Sequence, residues 1–357
     1  MASTDEPTHI FELMSEGGHE QLVFWSEPES GYRGVIAIHD TTLGPALGGT
    51  RFRNYDDERA AVLDALRLSR AMTYKAAISG LDIGGGKSVI WGDNGGTERE
   101  PIFRAHGRAV QSLGGRYITA EDVGTSPRDM EFVRMETEHV SGLPGRSGDP
   151  SPVTAYGVYR GIKACAHVEY GDDSLAGRHV TVQGLGHVGR NLCEDLAEEG
   201  ARLTVTDIDP DRVRRVVEDF GAVAVEADAI YGVEADIFAP CALGAVINDD
   251  TIGRLRVDIV AGAANNQLAR SAAHGSALHE RGILYAPDYV INGGGLINVY
   301  GELHGWSPEQ SKHKAGDIYD TLLHIFRLAK SEGLPTDVAA DRIAEERILA
   351  AKKRTGR

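Results

Sequence analysis

Apolar residues recur at helical spacing from Asp57 to Tyr74, where Ala61, Leu63, Ala65, Leu66, Leu68 and Met72 form a stripe. Shorter apolar runs at Val35 to His39, Ser88 to Trp91 and Tyr117 to Thr119 read as strands, and Pro101 to Leu113 as a second helix. An amphipathic segment with Ile10, Phe11, Leu13 and Met14 comes before them, and the glycine-rich stretch Gly44 to Thr50 reads as a turn whose amides are free to face a ligand. Residues 141–152, SGLPGRSGDPSP, read as a linker. Beyond it strands and helices alternate. A helix over Thr154 to Val168 leads to a strand at His179 to Gln183, a helix through Glu198, a strand at Arg202 to Thr206 and a helix at Arg212 to Phe220. Short strands follow at 237–239, 259–261 and 283–285, and helices at Ile318 to Ser331 and Ala339 to Lys353 close the chain. Such alternation implies a parallel, doubly wound sheet. The expected fold is α/β in two domains, residues 1–147 and 148–331.

Composition narrows the function. The 357 residues carry a net charge of −16, which disfavours nonspecific binding to nucleic acid or to an anionic membrane. No apolar run approaches the ~18 residues of a membrane span, and the opening MASTDEPTHI lacks the basic and apolar regions of a signal peptide. The three cysteines, Cys165, Cys193 and Cys241, are few, odd in number and far apart, which fits free thiols in a reducing cytoplasm and offers no metal-ligand spacing.

The second half holds a dinucleotide signature in its full context. Gly184-Leu185-Gly186-His187-Val188-Gly189 follows a strand and opens a helix. In such a loop the first glycine makes the turn, the second admits the pyrophosphate and the third lets helix and strand pack. The helix N-terminus then presents free amides to the phosphates. Asp207 ends the next strand, 23 residues after Gly184, where an acidic residue binds ribose hydroxyls and repels a 2′-phosphate. This favours NAD over NADP.

The first half centres on MTYKAAISGLDIGGGK, Met72 to Lys87. Only eight of the 37 basic residues are lysines. Arginine carries the ordinary surface charge, and a lysine in an apolar, glycine-rich setting points to chemistry, because burial lowers its pKa enough to make it a base. A solvated surface is the ordinary place for a lysine; the glycines Gly84, Gly85 and Gly86, read as room for a ligand near the backbone, argue against it here. Gly86-Lys87-Ser88 resembles the end of a phosphate-binding P-loop, but that motif needs glycine at position 81, which is Leu81.

These motifs resemble the Glu/Leu/Phe/Val dehydrogenases, and among them the branched-chain members most. The likeness spans nearly the whole chain: GPALGGTRF at 44–52, MTYK at 72–75, GGGKSVI at 84–90, AEDVGT at 120–125, SPVTAYGVYRG at 151–161, VQGLGHVG at 182–189, APCALGAVIND at 239–249, AGAANNQL at 261–268, APDYVINGGGLINV at 286–299 and AADRIAEERI at 339–348. The resemblance implies a substrate-binding and oligomerisation domain, an NAD-binding domain, an active site in the cleft between them, a C-terminal segment (332–357) that returns to the first domain, and a homo-oligomer. It gives Lys75, helped by amides near Gly48 and Gly49, the substrate α-carboxylate. It makes Lys87 the catalytic lysine and Asp122 the group that exchanges protons with the amine. Thr154 falls near the nicotinamide carboxamide, and one of Asn265 and Asn266 near the nicotinamide and the substrate. Taken alone, Asp122 reads equally well as a helix cap or turn, since Thr125-Ser126-Pro127 follows. The implied reaction transfers a hydride from the α-carbon and then adds water and releases ammonia, which calls for a base and a proton shuttle.

Glutamate-acting members need a cation for the distal carboxylate. Here the matching pocket position is Leu47, and Leu296 and Val299 stand where branched-chain enzymes carry aliphatic residues; Met72 and Ala120 belong to the same substrate site by the resemblance. An apolar pocket does not hold a carboxylate cheaply. Leucine, valine and isoleucine are favoured, with no order among them. The alternatives are a phenylalanine or glutamate enzyme of the same family, or a nucleotide-binding regulator without turnover, against which intact Lys75, Lys87 and Asp122 argue.

Overall fold

The computed structural model describes residues 9–96, 98–143, 149–242 and 244–355. The chain divides into two compact units, residues 1–148 with 345–357, and residues 149–344.

The first unit contains α1 (Ile10–Gly17), β1 (Gln21–Glu27), β2 (Tyr32–Asp40), β3 (Ala46–Arg53), α2 (Glu58–Ile78), β4 (Gly84–Trp91), α3 (Arg99–Gln111), β5 (Tyr117–Glu121) and α4 (Pro127–Arg134). Its sheet has the order β1-β2-β4-β3-β5, antiparallel from β1 through β4 and parallel from β4 through β5. Successive side chains of a strand alternate between faces. On β2, Val35 and Ala37 pack with Ala61, Val62, Ala65 and Leu66 of α2, while Ile36 and Ile38 pack with Ala109 and Val110 of α3. Both faces are covered, which is why β2 reads as an unbroken apolar run and not as an alternating one. Asp57 caps α2 by accepting from the Ala60 amide at 2.7 Å.

Two expectations change here. The stretch read as a turn at 44–50 is, from Ala46 onward, strand β3, lying between β4 and β5. Its glycines let the backbones close up: a side chain at Gly48 would overlap the Gly86 carbonyl, and one at Gly49 the Glu121 carbonyl. The glycines before Lys87 are likewise closed by protein atoms and do not leave room for a ligand. A side chain at Gly84 would strike the Asp40 carbonyl, at Gly85 Thr73 of α2, and at Gly86 the Tyr117 ring. Of the linker stretch 141–152, residues 144–148 lie outside the described residues, and Ser151 already opens a helix.

The second unit contains α5 (Ser151–Tyr170), β6 (His179–Gln183), α6 (His187–Glu198), β7 (Arg202–Thr206), α7 (Pro210–Phe220), β8 (Val223–Ala224), β9 (Ile237–Pro240), β10 (Ile259–Val260), α8 (Ser271–Glu280), β11 (Leu284–Tyr285), α9 (Asp288–Ile291), α10 (Gly294–Leu303), α11 (Pro308–Gly316) and α12 (Ile318–Glu332). Its sheet runs β11-β10-β9-β6-β7-β8, with every pairing parallel. The chain winds outward from β6 through β7 and β8, then crosses back to β9. The strand order therefore reverses beside β6, the place where doubly wound sheets bind ligands.

The last helix, α13 (Thr336–Thr355), begins in the second unit, where Thr336 donates to the Tyr285 carbonyl and Tyr289 to Asp341, both at 2.6 Å. Only residues 345–357 belong to the first unit. There Arg347 donates to the carbonyls of Ala76 and Ala77 at the end of α2, and Lys352 pairs with Asp40 at 2.9 Å. The returning segment is thus shorter than 332–357. Among the described residues, no helix is long and apolar enough to cross a membrane.

Candidate active site

Strand alternation and register place the reactive groups of the first unit. Lys87 lies opposite Ala37 on β2, and Arg51 opposite Val89, so both point to the α2 face. Leu47, beside Gly85, and Ala120, beside Gly49, share that face. Met72 and Lys75 are half-buried on α2 itself. Lys87 is 5% exposed, and its Nζ lies 2.9 Å from Oδ2 of Asp122, just beyond β5. Burial pushes the Lys87 amine below the usual lysine range; Asp122 opposes this and Arg51 adds to it. Burial pushes the Asp122 carboxyl up, but Lys87 and Arg51 outweigh it and hold the group below its usual range. The result is a pair with an ionised carboxylate and an ammonium that parts with its proton more readily than an exposed one.

Asp122 is not a cap. The cap of α4 is Ser126, which forms a reciprocal capping box with Asp129. The Asp122 amide donates to the Thr125 hydroxyl at 2.8 Å, leaving the side chain for Lys87.

The residues that the sequence reading missed surround this pair. Arg51 Nε donates to Asp122 Oδ2 at 3.1 Å and its Nη1 to Asp64 Oδ2 at 2.9 Å. Tyr55 donates to the same Asp64 oxygen at 2.7 Å, and Arg67 to the other at 3.0 Å. Arg51 stood inside the quoted GPALGGTRF motif, where it is the one charged residue. On the α3 face a second buried network lies beneath. His106 contacts the Tyr32 hydroxyl through Nδ1 and the Thr50 hydroxyl through Nε2, both at 2.9 Å. The Tyr117 hydroxyl donates to the Gly48 carbonyl at 2.6 Å and lies 3.0 Å from the Ser88 hydroxyl, which can donate to it in turn. Pairing of β3 with β4 runs through Leu47–Gly85, skips Gly48 and Gly49, and resumes at Thr50–Ser88. The Tyr117 hydroxyl therefore serves a carbonyl at the gap in the ladder.

In the second unit the glycine loop closes on itself. Gly184 has φ +94, and a side chain there would meet Ala242; a side chain at Gly189 would overlap the Gly184 carbonyl. Gly186 differs, for the nearest atom to a side chain there is Arg212 Nη1 at 4.0 Å. No protein atom demands a glycine at 186, and the opening it leaves lies at the N-terminus of α6. This fits an anionic group drawn against the backbone, as a pyrophosphate requires. Asp207 follows β7, and its carboxylate accepts from the Leu185 amide at 2.6 Å and the Asp209 amide at 2.8 Å. Val188 is half-buried, and His187 is exposed with Nδ1 3.5 Å from Asp149. Thr154, on the first turn of α5, donates to the Pro150 carbonyl at 2.9 Å. Asn265 accepts from Asn292 at 2.8 Å, and Asn266 holds a left-handed φ of 50°. Leu296 is buried and Val299 half-buried on α10. Among the described residues no group of three or more His, Cys, Asp and Glu side chains is placed to hold a metal ion.

Comparison with known proteins agrees with both halves. The family described as Glu/Leu/Phe/Val dehydrogenase, dimerisation domain, matches residues 19–139, and Glutamate/Leucine/Phenylalanine/Valine dehydrogenase matches residues 208–356. Leucine dehydrogenase of Bacillus subtilis (strain 168) is 56% identical over 342 residues, which are 95% of this chain and 94% of that protein. The chain belongs to the Glu/Leu/Phe/Val dehydrogenase family. Its members are nicotinamide-dependent dehydrogenases. The leucine dehydrogenase of Geobacillus stearothermophilus is 55% identical, over 96% of this chain and 94% of that one. The crystal structure of L-tryptophan dehydrogenase from Nostoc punctiforme superposes with a TM-score of 0.89 at 48% identity, covering 96% of this chain and 100% of that one. As a member of the family, the chain has the two-domain α/β fold read from its sequence.

Proposed function

We propose that this chain carries out the reversible, NAD-dependent oxidative deamination of branched-chain L-amino acids, leucine, valine and isoleucine, to 2-oxo acids and ammonia. The observation that carries the reading is the buried Lys87–Asp122 pair at 2.9 Å; the leucine dehydrogenase relatives support it. In the forward direction the amino acid, NAD⁺ and water give the 2-oxo acid, NADH, ammonium and a proton. When bound, the nicotinamide accepts the hydride from the α-carbon.

The chain's own residues do the rest. Lys75 and the amides of Gly48 and Gly49 hold the α-carboxylate. Lys87, unprotonated, takes a proton from the water that adds to the α-carbon, and Asp122 exchanges protons with the departing nitrogen. The loop Gly184 to Gly189, with the amides of His187 and Val188, cradles the pyrophosphate, while the Leu185 amide holds Asp207, which takes the ribose hydroxyls, the basis for NAD over NADP. Thr154 and one of Asn265 and Asn266 meet the nicotinamide end. Leu47, Met72, Ala120, Leu296 and Val299 meet an aliphatic side chain, and none of these offers a cation to a second carboxylate. The dimerisation-domain match supports a homo-oligomer, and three free cysteines fit the cytoplasm.

The test is the appearance of NADH absorbance at 340 nm with single L-amino acids. Leucine, valine and isoleucine should turn over, and glutamate, phenylalanine and tryptophan should lag. Equal rates with glutamate would overturn the pocket assignment. NAD binding without turnover of any amino acid would instead favour the regulator.

A further inference from the structure

Neither the resemblance nor the relatives assign Arg51 a role, yet it is tied directly to the reactive pair. We propose that Arg51, anchored by Asp64, is a positioning residue that fixes the Asp122 carboxylate on the Lys87 amine. This rests on the reading of Lys87 as the base.

The argument is geometric. A guanidinium is planar, and its donors leave in fixed directions. Arg51 uses one edge donor, Nε, on Asp122 and another, Nη1, on Asp64. Fixing Asp64 therefore fixes the angle at which Asp122 is held. Asp64 is itself fixed: it sits on the capped helix α2, with Tyr55 and Arg51 on one oxygen and Arg67 on the other. Arg51 and Lys87 both use the same Asp122 oxygen, Oδ2. In this reading the other oxygen, Oδ1, takes the substrate amine. A lysine in place of Arg51 would supply the charge but not the fork.

The same arrangement has an electrostatic consequence. The charged groups acting on the Lys87 amine are Asp122 beyond β5, Arg51 on β3 and Asp64 on α2, the helix that also carries half-buried Lys75; the charge of Asp122 also reaches Tyr117 of β5, and Tyr55 donates to Asp64. Arg51 pushes the Lys87 pKa down, and Asp64 pushes it up. Their removal therefore has opposite signs.

The experiment measures kcat/KM for L-leucine against pH at saturating NAD for the wild type and for Arg51→Gln, Arg51→Lys and Asp64→Asn. Melting curves and NAD affinity establish that each variant is folded. In Arg51→Gln, kcat falls at least tenfold and the rising limb moves to higher pH by about one unit, the scale of a neighbouring charge. In Asp64→Asn the limb moves to lower pH. In Arg51→Lys the limb stays near its wild-type position while kcat remains reduced, because charge is restored without orientation. Limbs that do not move, or that move the same way in Arg51→Gln and Asp64→Asn, overturn the proposal, as does full kcat in Arg51→Lys. Should Arg51→Gln fail to fold, the Asp64→Asn and Arg51→Lys results decide alone. Lys87→Ala run alongside separates the two readings: if it retains turnover the base assignment falls, whereas if only Lys87→Ala loses turnover the role of Arg51 falls and the base stands.

Discussion

Lys87 is useful because it is buried without being isolated. Burial lowers the pKa of its amine, and Asp122 at 2.9 Å opposes that shift without cancelling it. Lys87→Ala should lose at least about a hundredfold in kcat, the smallest effect expected of a general base, while equilibrium titration shows NAD binding unchanged. The pH profile follows from the direction of the shift. The base form appears as pH rises through a depressed pKa, so kcat/KM for deamination should climb and level off below the ~10.4 of an ordinary lysine. Asp122 holds the proton on, so the residual activity of Asp122→Asn should show its limb at lower pH. The lysines were visible in the sequence because lysine is scarce there. Arg51 and Asp64 were not, because their significance lies in a pairing across β3 and α2 that no local spacing encodes.

At the level of elements, the glycines divide by what stands in front of them. Gly48 and Gly189 each face a carbonyl of the protein, so Gly48→Ala and Gly189→Ala should lower the melting temperature and cost activity together. Gly186 faces open space, so Gly186→Ala should melt like the wild type while its NAD dissociation constant rises at least about tenfold; an unchanged dissociation constant would remove Gly186 from the cofactor site. Each face of the first sheet also carries a buried histidine that answers to acid. Burial pushes His106 down to about 3 and, with help from His19, His39 down to about 4. Both stay neutral in the folded chain while the unfolded chain binds protons below ~6.5, so stability falls with pH by about 1.4 kcal/mol per unit for each group. The urea midpoint should drop between pH 6.5 and 4.5, and less steeply in His106→Gln.

For the whole molecule, the question is which substrate and which cofactor it selects. One methylene more or less changes discrimination by about 1–3 kcal/mol, so leucine, isoleucine and valine should fall within roughly a hundredfold of one another. In the proposed pocket the distal carboxylate of glutamate would meet aliphatic side chains unpaired, at a cost of several kcal/mol. Its kcat/KM should be at least about a thousandfold below that of leucine at fixed NAD and alkaline pH. Asp207 is tied to the Leu185 amide of the glycine loop and to the Asp209 amide of its own loop; in the proposed cofactor site a carboxylate there disfavours a 2′-phosphate, and kcat/KM should favour NAD over NADP.

The sequence by itself determined the elements whose signal is local. The α2 stripe, the strand–glycine loop–helix unit and the acidic residue ending β7 each depend on spacing within a few turns of chain, and each formed where its period placed it. Tertiary structure decided whatever depends on a partner distant in sequence. GPALGGT reads locally as a turn, and becomes the strand β3 only because β4 and β5 lie close enough on either side to need its glycines. Asp122 reads locally as a possible cap, and becomes the partner of Lys87 because Ser126 caps α4 in its place. The physical reason is common to both: a propensity is a property of neighbours along the chain, whereas close approach and charge pairing are properties of neighbours in space.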